Sequence, residues 1–166
     1  MRFLRALLPL AAAIAVLATG TAGAPAARQV ATPPTVIDLI SLTTKANDTD
    51  KPPKGASKGD RTTGASALFN RVEQFGRKAG ARVGADKSVF VLRDKRTLYA
   101  SGTATLPGGT LHFQGVAKPN QGVFEIPVVS GTGIFVGAKG MLLIPIVKPG
   151  TKVVVNMYRL TYRAVA

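Results

Sequence analysis

The chain has no cysteine, no tryptophan and a single histidine, His112. Without cysteine no disulfide can staple the fold, so core packing and strand pairing alone must hold it together. Metal sites built on thiolates are excluded for the same reason, and one histidine is too few for the usual histidine-rich zinc sites. Aromatic side chains make up only 6% of the chain, and no run interleaves them with lysine or arginine. A surface for stacking nucleic-acid bases is therefore not expected. Acidic residues are also few, 8 against 22 basic ones.

What is present begins with an export signal. Arg2 and Arg5 precede an apolar run of 13 residues, 6–18, and small residues follow from 19 to 27. That order of a basic, an apolar and a small-residue segment is expected of a secretory signal peptide over residues 1–26. The run is shorter than the roughly 20 residues a membrane-spanning helix needs, so no stable membrane insertion is expected. Cleavage is expected between Ala24 and Ala27, which makes the product secreted and leaves a flexible lead over 27–34 and one domain over 35–166.

Removing Arg2 and Arg5 lowers the net charge from +14 to +12, with 20 basic against 8 acidic residues. A field of that sign draws the protein towards anionic surfaces, which outside a cell are cell-wall polymers, acidic polysaccharides or lipid headgroups, without fixing specificity. It also serves plain solubility.

Turn formers divide the rest. Residues 45–60 hold Asn47, Asp48, Asp50, Pro52, Pro53, Gly55 and Gly59, which predicts a surface loop after a strand over 35–44. Further turns at Asp94 with Lys95, Pro107 to Gly109, Lys118 to Asn120 and Lys148 to Gly150 separate runs over 81–93, 97–106, 110–116, 122–129, 133–147 and 151–163. Short strands at regular spacing predict an all-β sandwich or barrel. Between Gly64 and Gly76, Leu68, Val72 and Phe75 sit at helical spacing, so a short helix competes there with a strand ending near Arg71, and the strand is preferred.

Alternation assigns faces. Leu111, Phe113 and Gly115 fall on one side of their strand, and Phe124, Ile126 and Val128 on one side of the next. If the two apolar sets share the buried face, His112, Gln114 and Glu125 share the other. On the first strand Asp38 shares a face with Val36, Ile40 and Leu42.

Residues 106–140 read LPGGTLHFQGVAKPNQGVFEIPVVSGTGIFVGAKG. The LPGG turn, the strand ending in Gln114-Gly115, the Pro127-Val128-Val129 strand running into Gly131-Thr132-Gly133, then Phe135 and the Gly137 to Gly140 turn resemble the allene oxide cyclase and dirigent superfamily. Pro52 to Asp60 and Arg82-Val83-Gly84 are similar to its bacterial secreted members. The resemblance implies an eight-stranded antiparallel β-barrel with lipocalin-like closure and an internal cavity, often a homo-oligomer, trimer or dimer. No cofactor is implied. The cavity arginine of dirigent proteins corresponds here to Phe124, and the acidic residue after the Gln-Gly strand end to Ala117. The first-strand carboxylate of plant allene oxide cyclases corresponds to Asp38, while the partner asparagine is replaced by Ile40.

The candidate catalytic residues are accordingly Asp38 and Tyr158, with Leu111, Phe113, Phe124, Ile126 and Ile40 as candidate ligand-binding residues. Asp38 is read either as a cavity acid with a desolvated carboxyl or as a structural aspartate paired with a cation such as Arg159. His112 with Glu125 forms a general-base pair only if that face lines the cavity. Gly131 to Gly133 lacks the following helix and the Lys-Ser or Lys-Thr pair of a phosphate loop, and tight barrel corners account better for these glycines. Three functions stay open: cofactor-free cyclisation or stereochemical steering of an apolar oxygenated molecule by an isomerase; a binding module for a lipid, terpenoid or polyketide; and a structural extracellular barrel.

Overall fold

The computed structural model describes residues 33–94, 97–148 and 151–162. The signal segment, its cleavage site and most of the lead lie outside them. Eight strands follow in order: β1 Val36–Thr49, β2 Arg61–Asn70, β3 Arg82–Asp94, β4 Thr97–Leu106, β5 Gly109–Asn120, β6 Val123–Gly131, β7 Ala138–Pro145 and β8 Val153–Tyr162. Each pairs antiparallel with its neighbours in sequence, and β8 returns to β1, so the sheet closes on itself as an up-and-down barrel. Closure removes both sheet edges, which is how a cysteine-free chain of this size satisfies its backbone without staples.

The alternation in each strand now has a direction. Ile37, Leu39 and Ser41 of β1 point inward, as do Leu111, Phe113 and Ala117 of β5 and Ile126 and Val128 of β6. Eight strands leave an interior just wide enough for side chains or one small ligand, and this barrel does both. At one end Leu106, Phe135, Ala138, Leu160 and their neighbours fill the interior completely. Phe135 belongs to a short 3-10 helix, Gly133–Phe135, and is wholly buried. Gly133 stands at the corner that lets this happen: its φ is +61°, and a Cβ there would lie 1.9 Å from the carbonyl oxygen of Gly108. A tight corner, with no phosphate-loop geometry, is what the glycine triplet builds.

The opposite end stays open because its inward residues are small, polar or set back. On β4 the inward row is Ala100, Gly102 and Ala104, and the Phe113 ring of β5 lies across Gly102. A bulky β4 would leave that ring no seat.

Three expectations about the elements need correction, and a fourth, the strand ending near Arg71, holds. β1 continues to Thr49, through Asn47 and Asp48, where a loop was expected from residue 45. This half of the strand is exposed on both faces at the barrel mouth, so backbone pairing to β2 alone carries it and polar turn formers are tolerated. β5 runs on to Asn120 rather than ending at 116. Its pairing with β6 breaks between Phe113 and Lys118, opposite Pro127, which has no N–H to give. The run over 133–147 is a 3-10 helix followed by a shorter strand. Residues 61–70 are strand, so the helical spacing of Leu68, Val72 and Phe75 reflects Phe75 packing against the core from the following loop.

Candidate functional site

The open half of the barrel encloses a cavity of about 660 Å³, within the range of about 300–1,000 Å³ common for small-molecule sites. Phe90, Phe113, Leu142, Ile144 and Val154 give it apolar wall, while Ser41, Thr43, Ser66, Asp86, Ser88 and Asn156 give it polar wall. At the rim the Thr62 hydroxyl donates to the Asp48 carboxylate at 2.7 Å, and Lys152 stands across from Thr43.

Asp86 is the chemically distinctive group. It sits inward on β3, opposite Ser66 of β2 and Ala104 of β4, and is only 6% exposed. Burial pushes its carboxyl above the ordinary carboxylate range. The Ser66 and Ser41 hydroxyls and the Ser66 amide donate to it and offset part of that rise. An acid in this setting holds its proton to higher pH than a solvated one, and in the protonated form it is a donor facing a cavity.

Tyr158 lies one inward step deeper on β8 than Asn156, beside Ile37 and Leu142. It is completely buried and its hydroxyl has no hydrogen-bond partner among the described residues. Desolvation, then the nearby Asp86 charge, raise its pKa far above the ordinary phenol value. It is therefore a neutral phenol at any working pH, available as a donor and not as a base.

Asp38 stands elsewhere. Its face, shared with Val36, Ile40 and Leu42, is the outer face of the barrel, where Val36 is 55% exposed. Asp38 is buried there by the segment after β2, which folds over it. The Arg71 guanidinium donates to both carboxylate oxygens, at 2.7 and 2.6 Å, and the Gln74 side-chain amide donates to the Asp38 carbonyl. Its partner is Arg71 rather than Arg159, which pairs across from Val36. Asn70 holds the same segment by donating from Nδ2 to the carbonyls of Gln74 and Arg77, each at 2.8 Å. Asp38 thus secures a loop to the barrel wall, outside the cavity.

The remaining candidates divide by face. Phe113 lines the cavity; Leu111 and Ile126 are fully buried in the core. Phe124 pairs across from Ile144, which lines the cavity, and packs against the core without lining the cavity itself. Ile40 is half-buried on the outer face. His112 bonds Thr103 at 2.9 Å on the outside, and Glu125 accepts from Asn120, so the two form no general-base pair. On the outside as well, the Arg93 guanidinium stacks over the Tyr99 ring. Sequence reasoning missed Asp86, Ser41, Ser66 and Asn156. The one signal for them was that Asp86 and Ser88 alternate in phase with Phe90.

Among the described residues no cluster of three histidine, aspartate or glutamate side chains is placed to hold a metal, and no helix is long and apolar enough to cross a membrane.

No family model matches the chain, and no curated protein matches it. Solved structures do. A pyocyanin demethylase superposes with a TM-score of 0.62 at 18% identity, over 76% of this chain and 99% of its own. A pterocarpan synthase dirigent protein does so with a TM-score of 0.58 at 16% identity, over 76% of this chain and 82% of its own. An exo-specific intermolecular Diels–Alderase gives 0.54 at 14% identity, over 74% and 96% respectively. At such identities the likeness is one of fold. The chain has the eight-stranded closed antiparallel barrel of the dirigent, allene oxide cyclase and Diels–Alderase proteins.

Proposed function

We propose that the barrel takes an apolar, oxygen-bearing small molecule into its cavity and that Asp86 donates a hydrogen bond or a proton to that oxygen. In the catalytic form the Asp86 carboxyl gives its proton to the ligand oxygen, the bond shift closes or rearranges the carbon skeleton, and the carboxylate regains a proton when the product forms. No cofactor takes part. The single observation that carries the reading is a desolvated carboxyl facing a cavity whose other wall is apolar. Tyr158 supports the site as a neutral phenol near Asp86. Barrels of the same fold include proteins described as a demethylase, a dirigent synthase and a Diels–Alderase, all acting on small organic molecules.

A second reading, a binding module for a lipid, terpenoid or polyketide, is favoured by the same cavity because, among the described residues that line it, Asp86 is the one titratable side chain away from the rim. Mass spectrometry of small molecules that copurify with the protein identifies the ligand, and Asp86→Asn then separates the readings. A catalyst loses turnover of that ligand while keeping affinity; a container shows no turnover in either form. Absence of any copurifying or added small molecule from the cavity overturns both.

A further inference from the structure

Polar and apolar residues are not scattered around the cavity but sorted by strand. Adjacent strands β1, β2 and β3 contribute Ser41, Thr43, Thr62, Ser66, Asp86 and Ser88. The facing strands β5 and β7 contribute Phe113, Leu142 and Ile144, with Ile126 of β6 buried between them. β8 is the seam, with Val154 above Asn156. Phe90, at the outer end of the β3 row, is the one ring on the polar side. The two walls run side by side along the depth of the cavity, so polarity changes across it rather than from mouth to floor.

That division selects among apolar oxygenated ligands. A head-and-tail amphiphile such as a fatty acid places its oxygens at one tip and lays bare hydrocarbon against the rest. Seated here, it would strip water from Thr43 and Ser88, whose hydroxyls have no hydrogen-bond partner among the described residues, and return nothing. A compact ring system with several oxygens along one edge meets both walls at once: its oxygenated edge lies along β1 to β3 and its hydrocarbon edge against Phe113, Leu142 and Ile144. We infer that the ligand is a laterally amphipathic polycycle, a polyoxygenated aromatic or alicyclic ring system with one oxygen-bearing edge, and not a long-chain lipid. This rests on the cavity being a ligand site.

The test uses calorimetric titration of the full barrel with naphthalenediol isomers. One isomer carries both hydroxyls on the same edge; the other, of equal composition, carries them on opposite edges. Palmitate is the head-and-tail comparison. The expected result is that the one-edge diol binds about tenfold tighter than its isomer, the worth of roughly one net hydrogen bond, and tighter than palmitate. Ser66→Ala with Ser88→Ala should bring the two isomers to within about twofold, with the β-sheet circular dichroism unchanged, since these hydroxyls supply the discrimination. Equal affinity for the isomers in the wild-type protein, or tighter binding of palmitate, overturns the inference while leaving the cavity a ligand site. Binding of none of the three overturns the cavity reading beneath it.

Discussion

Gly102→Ala is the sharpest test of how the cavity is built. The added methyl would sit 2.3 Å from Cζ and 2.8 Å from Cε2 of Phe113, and 2.5 Å from the carbonyl oxygen of Lys87. Ordinary carbon contacts lie at about 3.5–4.0 Å, so the ring must retreat by more than an ångström. It can, because the cavity lies beside it. The Lys87 carbonyl cannot retreat alone, since it belongs to the backbone of β3 next to the Ser88 and Gly102 pair. Overpacking of this kind costs about 1–3 kcal/mol, which for a domain of this size lowers Tm by roughly 3–10 °C. Denaturant melts measure the loss, and ligand titration measures the second effect: the displaced ring occupies cavity volume and weakens binding. Phe113→Leu in the same chain should relieve the ring conflict and leave the carbonyl conflict, giving a coupling energy of at least about 0.5 kcal/mol in a double-mutant cycle. A Gly102→Ala protein within about 0.5 kcal/mol of wild type, with unaltered binding, would refute the seating of Phe113 on β4.

Three further outcomes are expected. Because burial raises the Asp86 carboxyl above its unfolded value of about 3.9, its contribution to stability is full below that pH and is lost as pH rises through the folded value. The stability difference between Asp86→Asn and wild type, followed across a pH series by denaturant melts, should therefore shift in favour of the variant as pH rises, and a shift the other way refutes a raised Asp86. Asp38→Asn should lower Tm by breaking the pair with Arg71 yet leave cavity affinity unchanged, because that pair lies on the outer wall; a loss of affinity at full stability would return Asp38 to the site. N-terminal sequencing of protein collected outside the cell should find chains beginning between Pro25 and Arg28, and recovery of only uncleaved chain counts against export.

Much of the fold was legible because each strand carries one apolar face and its ends carry glycine, proline or asparagine. The pairing of Leu111 and Phe113 with Ile126 and Val128 on one face needed only the two-residue period. What the period does not contain is which face points inward. Asp38 and Asp86 show this best. Asp38 sits among Val36, Ile40 and Leu42, and such neighbours suggest an interior, yet they form an apolar outer wall. Asp86 follows Ala85 and precedes Lys87 and Ser88, a stretch that reads as solvent-facing, yet it points into the barrel. Along β1 to β3 the inner face lining the cavity is as polar as an outer one, so hydropathy alone assigns it wrongly. The partner of Asp38 was equally hidden, since Arg71 reaches it only after β2 has turned back across the sheet.

The filled end of the barrel has a kinetic consequence. With Phe135 wholly buried and the interior below the cavity occupied by side chains, the described residues leave the cavity one mouth. Whatever occupies the cavity must leave before the next molecule arrives, so the two compete for a single doorway. On the proposed catalytic reading, accumulated product would slow turnover by occupancy alone, as a competitive inhibitor whose strength equals its own affinity for the cavity. Any exchange of protons between Asp86 and bulk water has to wait for that same doorway to clear.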